Sequence, residues 1–223
     1  MPTAIPDQAA AMDRMYRLTR HVYDASRRYY LLGRDRLIAE MAIPEGGRVI
    51  EVGCGTARNL AKLARRLGDE SQVQLFGLDA SQQMLDTAAV KLARRGLGGR
   101  VTLRQGLAEE LSPAVFGQDE PFDVVFFSYC LSMVPTWRAA VDAALRAVRP
   151  EGRLYVVDFW DQAELPRWFG GVLRRWLDLF HVHFRPELLE YLHGAAARTG
   201  RPIALTPIAR RYAYLAELGP VGR

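Results

Sequence analysis

Short apolar runs alternate with amphipathic segments along the chain from residue 47 onward. The apolar runs are rich in Val, Ile, Leu and Phe, as is typical of parallel strands buried on both faces. They cover residues 48–52, 73–78, 101–103, 122–127 and 154–157. Between them, residues 59–67, 81–95 and 136–148 show the apolar spacing of helices. Because strands and helices alternate, the pattern predicts an α/β fold with a doubly wound, mostly parallel sheet.

Two further regions flank this alternation. Residues 9–41 predict two helices that are separated near Gly33, and we expect them to cover the ligand edge of the sheet. Near the other end, residues 186–197 predict a helix, and residues 203–207 and 212–216 predict two last strands, which brings the sheet to seven strands. The predicted organisation is therefore an N-terminal helical cap (1–46), an α/β core (47–160) and a C-terminal substrate-side region (161–223).

Composition is that of a globular protein. A length of 223 residues fits one large domain, and 49% hydrophobic with 25% charged residues excludes a disordered chain. The two cysteines, Cys54 and Cys130, are too few for a disulfide framework and favour a reducing compartment. The first residues lack the pattern of a signal peptide, and the longest apolar stretch is too short to span a membrane. We therefore expect a cytoplasmic location.

The formal net charge is +5, from 30 basic and 25 acidic residues, and nearly all of the basic residues are arginines. The excess lies in the C-terminal region, which suggests an anionic partner such as a lipid surface, although scattered solvated arginines are the simpler explanation. Because the arginines form no dense stripe, we expect no nucleic-acid partner.

The first motif is a strand that ends near Glu51 and leads through a glycine-rich turn, Gly53, Cys54 and Gly55, into a helix. Glycine in such a turn allows the backbone to approach a ligand closely. A nicotinamide-dinucleotide site would have a third glycine where this chain has Arg58, so that hypothesis loses support.

Three more motifs follow at the ends of strands. Asp79 lies 24 residues after Gly55 and ends the second strand, where a carboxylate can accept ribose hydroxyls. The strand at 122–127 continues through Ser128 into a turn that we expect to line the reaction crevice. Residues 145–158 read as a helix, a Pro/Gly turn and a strand that closes on Asp158.

In this order and spacing, the motifs resemble those of class I S-adenosylmethionine-dependent methyltransferases over residues 47–158. The resemblance implies a Rossmann-like sheet of seven strands and S-adenosylmethionine as the cofactor. It also implies that Glu51 lies near the methionine moiety and that the turn with Gly53, Cys54 and Gly55 approaches the amino-acid part. Asp79 would hold the ribose hydroxyls.

The same resemblance implies an adenine site in the stretch 105–109. Leu107 stands where such enzymes commonly have Asp, so a backbone carbonyl or Glu109 would bind the adenine amino group, with Ala108 beside it. Ala80 and Met84 would pack on the adenosine, although a methionine on a helix face is equally typical of a core residue.

A narrower resemblance involves residues 21–38, which contain the run Arg-Tyr-Tyr-Leu-Leu-Gly-Arg-Asp. This segment is similar to the N-terminal part of bacterial diacylglyceryl-homoserine N-methyltransferases, which trimethylate a lipid-borne amine to form a betaine lipid. A Tyr-Asp pair near the N-terminus is shared by many lipid and quinone methyltransferases. The alternatives are therefore phosphatidylethanolamine, a quinone-type or small-molecule acceptor, or a non-catalytic S-adenosylmethionine-binding protein.

Methyl transfer requires an in-line nucleophile in a dry site, and an amine acceptor must also lose a proton. Candidate proton acceptors are Tyr23, Tyr30 and Tyr129, with His181 and His183 as further candidates. Tyrosine faces also stabilise a methylated ammonium, although each N-terminal tyrosine is more often a packing residue. The two histidines lack the neighbouring ligands of a metal site, so we expect no metal.

An apolar stripe at helical spacing covers residues 165–180 and is opposed by arginines. Core packing is the default explanation of such a stripe. Trp and Phe on one face with Arg on the other also suit the surface of an anionic membrane. The second explanation predicts a peripheral protein at the inner face of the membrane with a lipid substrate, and the sequence leaves the oligomeric state open.

Overall fold

The structure is a computed structural model, and it describes residues 31–164 and 185–222. Tyr23 and Tyr30, most of the segment that resembles betaine-lipid enzymes, the apolar stripe at 165–180, and His181 with His183 all lie outside the described residues.

Seven strands form one sheet in the order β3-β2-β1-β4-β5-β7-β6. The strands are β1 (Arg48–Val52), β2 (Gln74–Asp79), β3 (Val101–Gln105), β4 (Phe122–Ser128), β5 (Val148–Phe159), β6 (Ile203–Ile208) and β7 (Ala213–Leu218). The first five strands run parallel, and β7 is antiparallel to both β5 and β6. The predicted fold class, a seven-stranded and mostly parallel α/β sheet, is confirmed.

Helices cover both faces of the sheet. The helices of the described residues are α1 (Arg34–Glu40), α2 (Arg58–Leu67), α3 (Gln82–Ala93), α4 (Trp137–Ala147) and α5 (Pro186–Thr199), with short 3₁₀ turns at Ala108–Glu110 and Pro113–Phe116. Apolar residues of α1, α2 and α3 pack on one face, and those of α4 and α5 pack on the other. All seven residues of β4 are buried, as expected for the strand between β1 and β5. Within the described part of the chain, no helix has the length and apolarity needed to cross a membrane.

One strand begins earlier than the sequence predicts. β5 starts at Val148, which pairs with Phe122, whereas the prediction placed a turn around Pro150 and Gly152 and began the strand at residue 154. The register shifts between Phe122 and Val124, so the Pro/Gly segment is an irregularity within the strand pairing. Pro150 and Gly152 therefore mark a distortion of the β4–β5 pairing, but the pairing continues on both sides of it.

The buried guanidinium of Arg201 connects the last two strands to the beginning of β5. Its nitrogens donate hydrogen bonds to the carbonyl oxygens of Gly152, Gly219 and Arg149, each at 2.8 Å. Burial lowers the pKa of Arg201. One side chain thus satisfies three carbonyl groups, two in β5 and one directly after β7.

Candidate functional site

The carboxyl ends of β1, β2, β4 and β5 meet at one edge of the sheet, because these strands run parallel. Glu51, Asp79, Ser128 and Asp158 lie at or next to those ends, and each has less than a tenth of its surface exposed. In open α/β sheets, ligands bind at this edge, where the strand order reverses. The reversal lies here between β1 and β4.

The turn after β1 contains two glycines in a backbone conformation that other residues adopt only with strain. Gly53 has φ 72° and Gly55 has φ 51°, and both angles belong to the left-handed region. The backbone N–H groups of Gly53 and Cys54 donate to the carbonyl oxygen of Leu78, at 2.8 and 3.0 Å. The turn therefore wraps around the end of β2, next to Asp79.

Asp79 is bound to this turn through its carboxylate. Its Oδ2 accepts the backbone N–H of Gly55 at 2.7 Å, and its Oδ1 accepts that of Ser81 at 3.0 Å. A carboxylate has about four acceptor positions, so these bonds leave capacity for ribose hydroxyls. The geometry suits the predicted ribose role, which stays a prediction.

Glu51 has a partner that the sequence did not indicate. The side-chain amide of Asn59, in the first turn of α2, donates to Oε1 of Glu51 at 2.7 Å. Glu51 is only 2% exposed, so the bond fixes the carboxylate relative to the helix that follows the turn. An amide eight residues after an acidic strand end gives no recognisable pattern, which is why Asn59 was missed.

Cys130, from the turn after β4, packs directly on Gly53. A Cβ atom on Gly53 would lie 2.2 Å from the Cys130 Sγ and 2.8 Å from its Cβ. Cys54 is different, because its thiol is buried next to Gly77 of β2 and burial raises its pKa well above the usual value. Cys54 thus contributes its backbone to the turn, while its side chain belongs to the core.

The predicted adenine-site residues are brought to the same side of Asp79. The side chain of Gln105 donates to the carbonyl oxygen of Ala80 at 3.0 Å, and the N–H of Gly106 donates to that of Asp79 at 3.1 Å. Leu107 and Ala108 follow directly and are half-buried. Met84, which lies on α3 and is 5% exposed, fits either a core or an adenosine contact.

Tyr129 and Ser128 lie at the end of β4 with different surroundings. The hydroxyl of Tyr129 donates to the carbonyl oxygen of Leu32, and burial raises its pKa well above the usual value. This geometry favours a role in holding the residues before α1 over a role in accepting a proton. Ser128 is buried, and its Oγ has no hydrogen-bond partner among the described residues, so its predicted contact with the cofactor stays a prediction.

Asp158 is a feature of this edge to which the sequence assigned no role. It is 1% exposed, and its oxygens accept the backbone N–H groups of Ser132 and Phe159 at 3.1 and 2.8 Å. Burial raises the pKa of Asp158 to about 6, and the two N–H donors act in the opposite direction. An acidic residue next to the end of an apolar strand was the available signal.

Within residues 31–164 and 185–222, no group of three or more His, Cys, Asp or Glu residues is placed to hold a metal ion.

A sheet of this order, with a glycine-rich turn after β1 and a carboxylate at the end of β2, defines the class I S-adenosylmethionine-dependent methyltransferase fold. The family model of the methyltransferase domain matches residues 49–152. The chain therefore contains a class I methyltransferase domain, and its cofactor is S-adenosylmethionine. The predictions of enzyme class and cofactor are confirmed by this match together with the relatives.

Two relatives extend the match beyond the domain. The chain is 31% identical over 172 residues to the ubiquinone/menaquinone biosynthesis C-methyltransferase UbiE of Vibrio parahaemolyticus, covering 77% of this chain and 57% of the relative. It is also 31% identical over 158 residues to the demethylmenaquinone methyltransferase of Geobacillus kaustophilus, covering 71% and 61%. The chain thus spans less than two thirds of either relative. These relatives are quinone enzymes, not betaine-lipid enzymes, so they favour the predicted quinone-type alternative.

A solved structure shows the same fold. The S-adenosylmethionine-dependent methyltransferase from Aquifex aeolicus superimposes with a TM-score of 0.61, at 17% identity, over 92% of this chain and 96% of that one. At this identity the similarity concerns the fold alone.

Proposed function

We propose that the protein transfers a methyl group from S-adenosylmethionine to a ring carbon of a quinone-type, lipid-soluble acceptor. The observation that carries this proposal is the 31% identity over 77% of the chain to a quinone-biosynthesis C-methyltransferase. The second quinone relative, from a different organism, supports the same acceptor class. Since such an acceptor is dissolved in the bilayer, the protein would work at the membrane surface.

The chemistry of ring methylation fits the site as described. The reduced, electron-rich form of the ring provides the carbon nucleophile, which forms a bond to the methyl carbon. The methyl–sulfur bond breaks, its electron pair stays on sulfur, and S-adenosylhomocysteine forms. The ring carbon then loses its proton to a base or to water, and the aromatic ring is restored. Placement of the two reactants would provide most of the rate enhancement. Ser128 and Asp158 are buried at this edge, which fits a site that water does not fill.

A second acceptor is supported by the sequence. Residues 21–38 resemble diacylglyceryl-homoserine N-methyltransferases, and this acceptor would offer an amine beside a carboxylate. Arg28, Arg34 or Arg36 would bind the carboxylate, and Tyr23 or Tyr30 would stabilise the methylated cation. Arg36 is exposed and paired with Glu40 in the structure, so it would have to exchange this partner.

One labelling experiment separates the acceptors. The protein is incubated with S-adenosylmethionine that carries a labelled methyl group and with detergent micelles that contain either demethylmenaquinone reduced by dithionite or diacylglyceryl-homoserine. We expect label on the quinone ring, identified by mass spectrometry. The control variant Asp86→Ala changes an exposed carboxylate of α3 and should label like the wild type, whereas Asp79→Ala removes the predicted ribose ligand and should reduce labelling when the cofactor concentration is near the wild-type Kd.

Each other outcome has a distinct meaning. Label on the homoserine lipid alone would overturn the quinone proposal in favour of the amine acceptor. Label on neither acceptor, from a protein that binds S-adenosylhomocysteine, would count against both and favour a cofactor-sensing protein.

A further inference from the structure

Asp158 lies in surroundings that do not favour a charge. It is the second-last residue of β5, its side chain is 1% exposed, and within the described residues it forms no ion pair. Two backbone N–H groups, those of Ser132 and Phe159, are its hydrogen-bond donors. Burial disfavours the ionised carboxylate, and the charge of Arg185 offsets this only in part because the pKa stays raised. The presence of Asp158 here therefore points to a task that a neutral side chain does not perform.

Ser132 belongs to a compact turn at 129–134 that follows β4. The carbonyl oxygen of Cys130 accepts the N–H groups of Met133 and Val134, at 2.9 and 3.2 Å. At its start, the N–H of Tyr129 donates to Val157 of β5 at 2.8 Å. The bond from Ser132 to Asp158 therefore attaches the second half of the turn to the same strand.

This turn also borders the cofactor loop. The side chain of Cys130 fills the space next to Gly53, since a Cβ there would lie 2.2 Å from the Cys130 Sγ. A connected series of contacts thus runs from Asp158 through Ser132 and Cys130 to Gly53. None of the members before Gly53 was predicted to contact the cofactor.

We propose that Asp158 is a positioning residue of the methyltransferase: by accepting the Ser132 N–H, it holds the 129–134 turn against Gly53 and so keeps the cofactor loop in its binding conformation. It acts through the turn and does not touch the cofactor. The inference concerns cofactor binding and is independent of which acceptor the enzyme methylates.

The ionised carboxylate is the form that accepts both N–H groups without competition. Once protonated, one oxygen carries a hydrogen, and one of the two N–H groups has a weaker acceptor. The charged and titratable groups that interact with Asp158 are Arg185 at the start of α5, Tyr214 on β7 and Tyr129 in the turn. Arg185 favours the ionised form, and both tyrosines stay neutral because burial raises their pKa values. The Ser132 N–H bond lowers the pKa of Asp158 while burial raises it, so an opened turn in which Asp158 stays buried has the higher pKa. Protonation of Asp158 should therefore loosen the turn as the pH falls through about 6, although burial itself favours the protonated form in the folded protein.

The test measures binding of S-adenosylhomocysteine by calorimetry between pH 5 and 8 for the wild type and Asp158→Asn. We expect the wild-type Kd to rise on the order of tenfold between pH 7.5 and 5, as the turn loosens. The variant should bind on the order of tenfold more weakly than the wild type at pH 7.5, with a smaller change towards acid pH. Acid effects on other carboxylates are common to both proteins and cancel in the comparison.

Control variants show whether the effect on cofactor affinity depends on the place of Asp158 in the fold or on the loss of any buried carboxylate. Asp123, at the opposite end of the parallel strands, is also buried and accepts the Arg48 N–H at 2.7 Å, so Asp123→Asn should retain wild-type affinity and pH dependence. Asp86→Asn, on the exposed side of α3, lies outside this series of contacts and should bind like the wild type. Folding of each variant is checked by circular dichroism.

Two results would overturn the inference. The first is a folded Asp158→Asn protein whose Kd and pH profile equal those of the wild type. The second applies even when that variant does not fold: Cys130→Gly leaves Asp158 intact and removes the contact with Gly53, so it should weaken cofactor binding several-fold. Wild-type affinity in Cys130→Gly would show that the turn does not support the loop.

Discussion

The carboxylate of Asp79 accepts the backbone N–H of Gly55 at 2.7 Å, which joins the two halves of the cofactor site across 24 residues of sequence. The residue predicted to hold the ribose also orients the turn predicted to approach the amino-acid part. A change in either group is therefore transmitted to the other.

Asp79→Ala should weaken S-adenosylhomocysteine binding by about 1–3 kcal/mol, because it leaves ribose hydroxyls and the Gly55 N–H without an acceptor. Isothermal titration calorimetry measures the effect. Asp86→Ala, on the exposed side of α3, is the control and should bind like the wild type. Equal affinities in the two variants would contradict the ribose assignment.

Gly53→Ala should destabilise the protein more than Gly46→Ala does. Both glycines have positive φ, 72° and 66°, but an added Cβ meets Cys130 at 2.2 Å in the first case and nothing within 4 Å in the second. Gly46→Ala thus gives the backbone cost alone, on the order of 1 kcal/mol.

Chemical denaturation of both variants measures the difference between their free energies of unfolding. This difference is the cost of the steric clash between the added Cβ atom and Cys130. Adding Cys130→Gly to Gly53→Ala should recover part of that difference. No recovery in the double variant would mean that Cys130 is not what excludes a side chain at Gly53.

Tyr129→Phe should lower the free energy of unfolding by about 1 kcal/mol and leave kcat within a few-fold of the wild type. The reason is that the hydroxyl donates to the carbonyl of Leu32 in a buried position and burial raises its pKa, so it is a poor proton acceptor. Denaturation and initial-rate measurements test the two parts. A loss of kcat of about 100-fold or more, typical of a missing general base, would restore Tyr129 as a catalytic residue.

Asp158 should make the protein less stable as the pH rises from about 4 to 6. Burial raises its pKa from 3.8 to about 6, so the folded state binds the proton more tightly than the unfolded chain. The proton on Asp158 therefore stabilises the folded state by about 3 kcal/mol when the pH lies below the pKa of the unfolded chain. This stabilisation is lost as the pH rises through the higher pKa of the folded state.

Asp158→Asn cannot titrate and should lack this contribution. The free energy of unfolding is measured in urea at pH 4.5 and 7.5 for both proteins, and the change between the two pH values is compared. An identical change in both would show that Asp158 has an ordinary pKa.

The sequence was sufficient for the parts of the fold that local pattern determines. β1 was predicted at 48–52 and lies at Arg48–Val52, because a short run of β-branched residues between charged and glycine residues has one structural interpretation. The resemblance to class I methyltransferases implied that Glu51 and Asp79 face one cofactor, and the parallel pairing of β1 and β2 brings both to the same edge of the sheet.

Contacts between loops were beyond such reasoning. The bond from Ser132 to Asp158 spans 26 residues, and the contact between Cys130 and Gly53 joins turns that follow different strands. Neither depends on periodicity or on a turn residue, so no local pattern indicates them. The same holds for Tyr129: a tyrosine after β4 is consistent with chemistry, and only the position of Leu32 shows where its hydroxyl is bonded. Its role as a proton acceptor stays a prediction.

The place of β7 has a consequence for synthesis on the ribosome. β7 follows β6 in the chain but lies between β5 and β6, with antiparallel partners on both sides. Among the described strands, β7 is the neighbour that β5 and β6 share, so until Ala213–Leu218 leaves the exit tunnel this edge of β5 and β6 both lack their partner. A nascent chain that stalls before this point exposes an unpaired strand edge, which favours association with other chains. Chaperone protection should therefore matter most during translation of the last strand, after the cofactor-binding half of the sheet has already emerged.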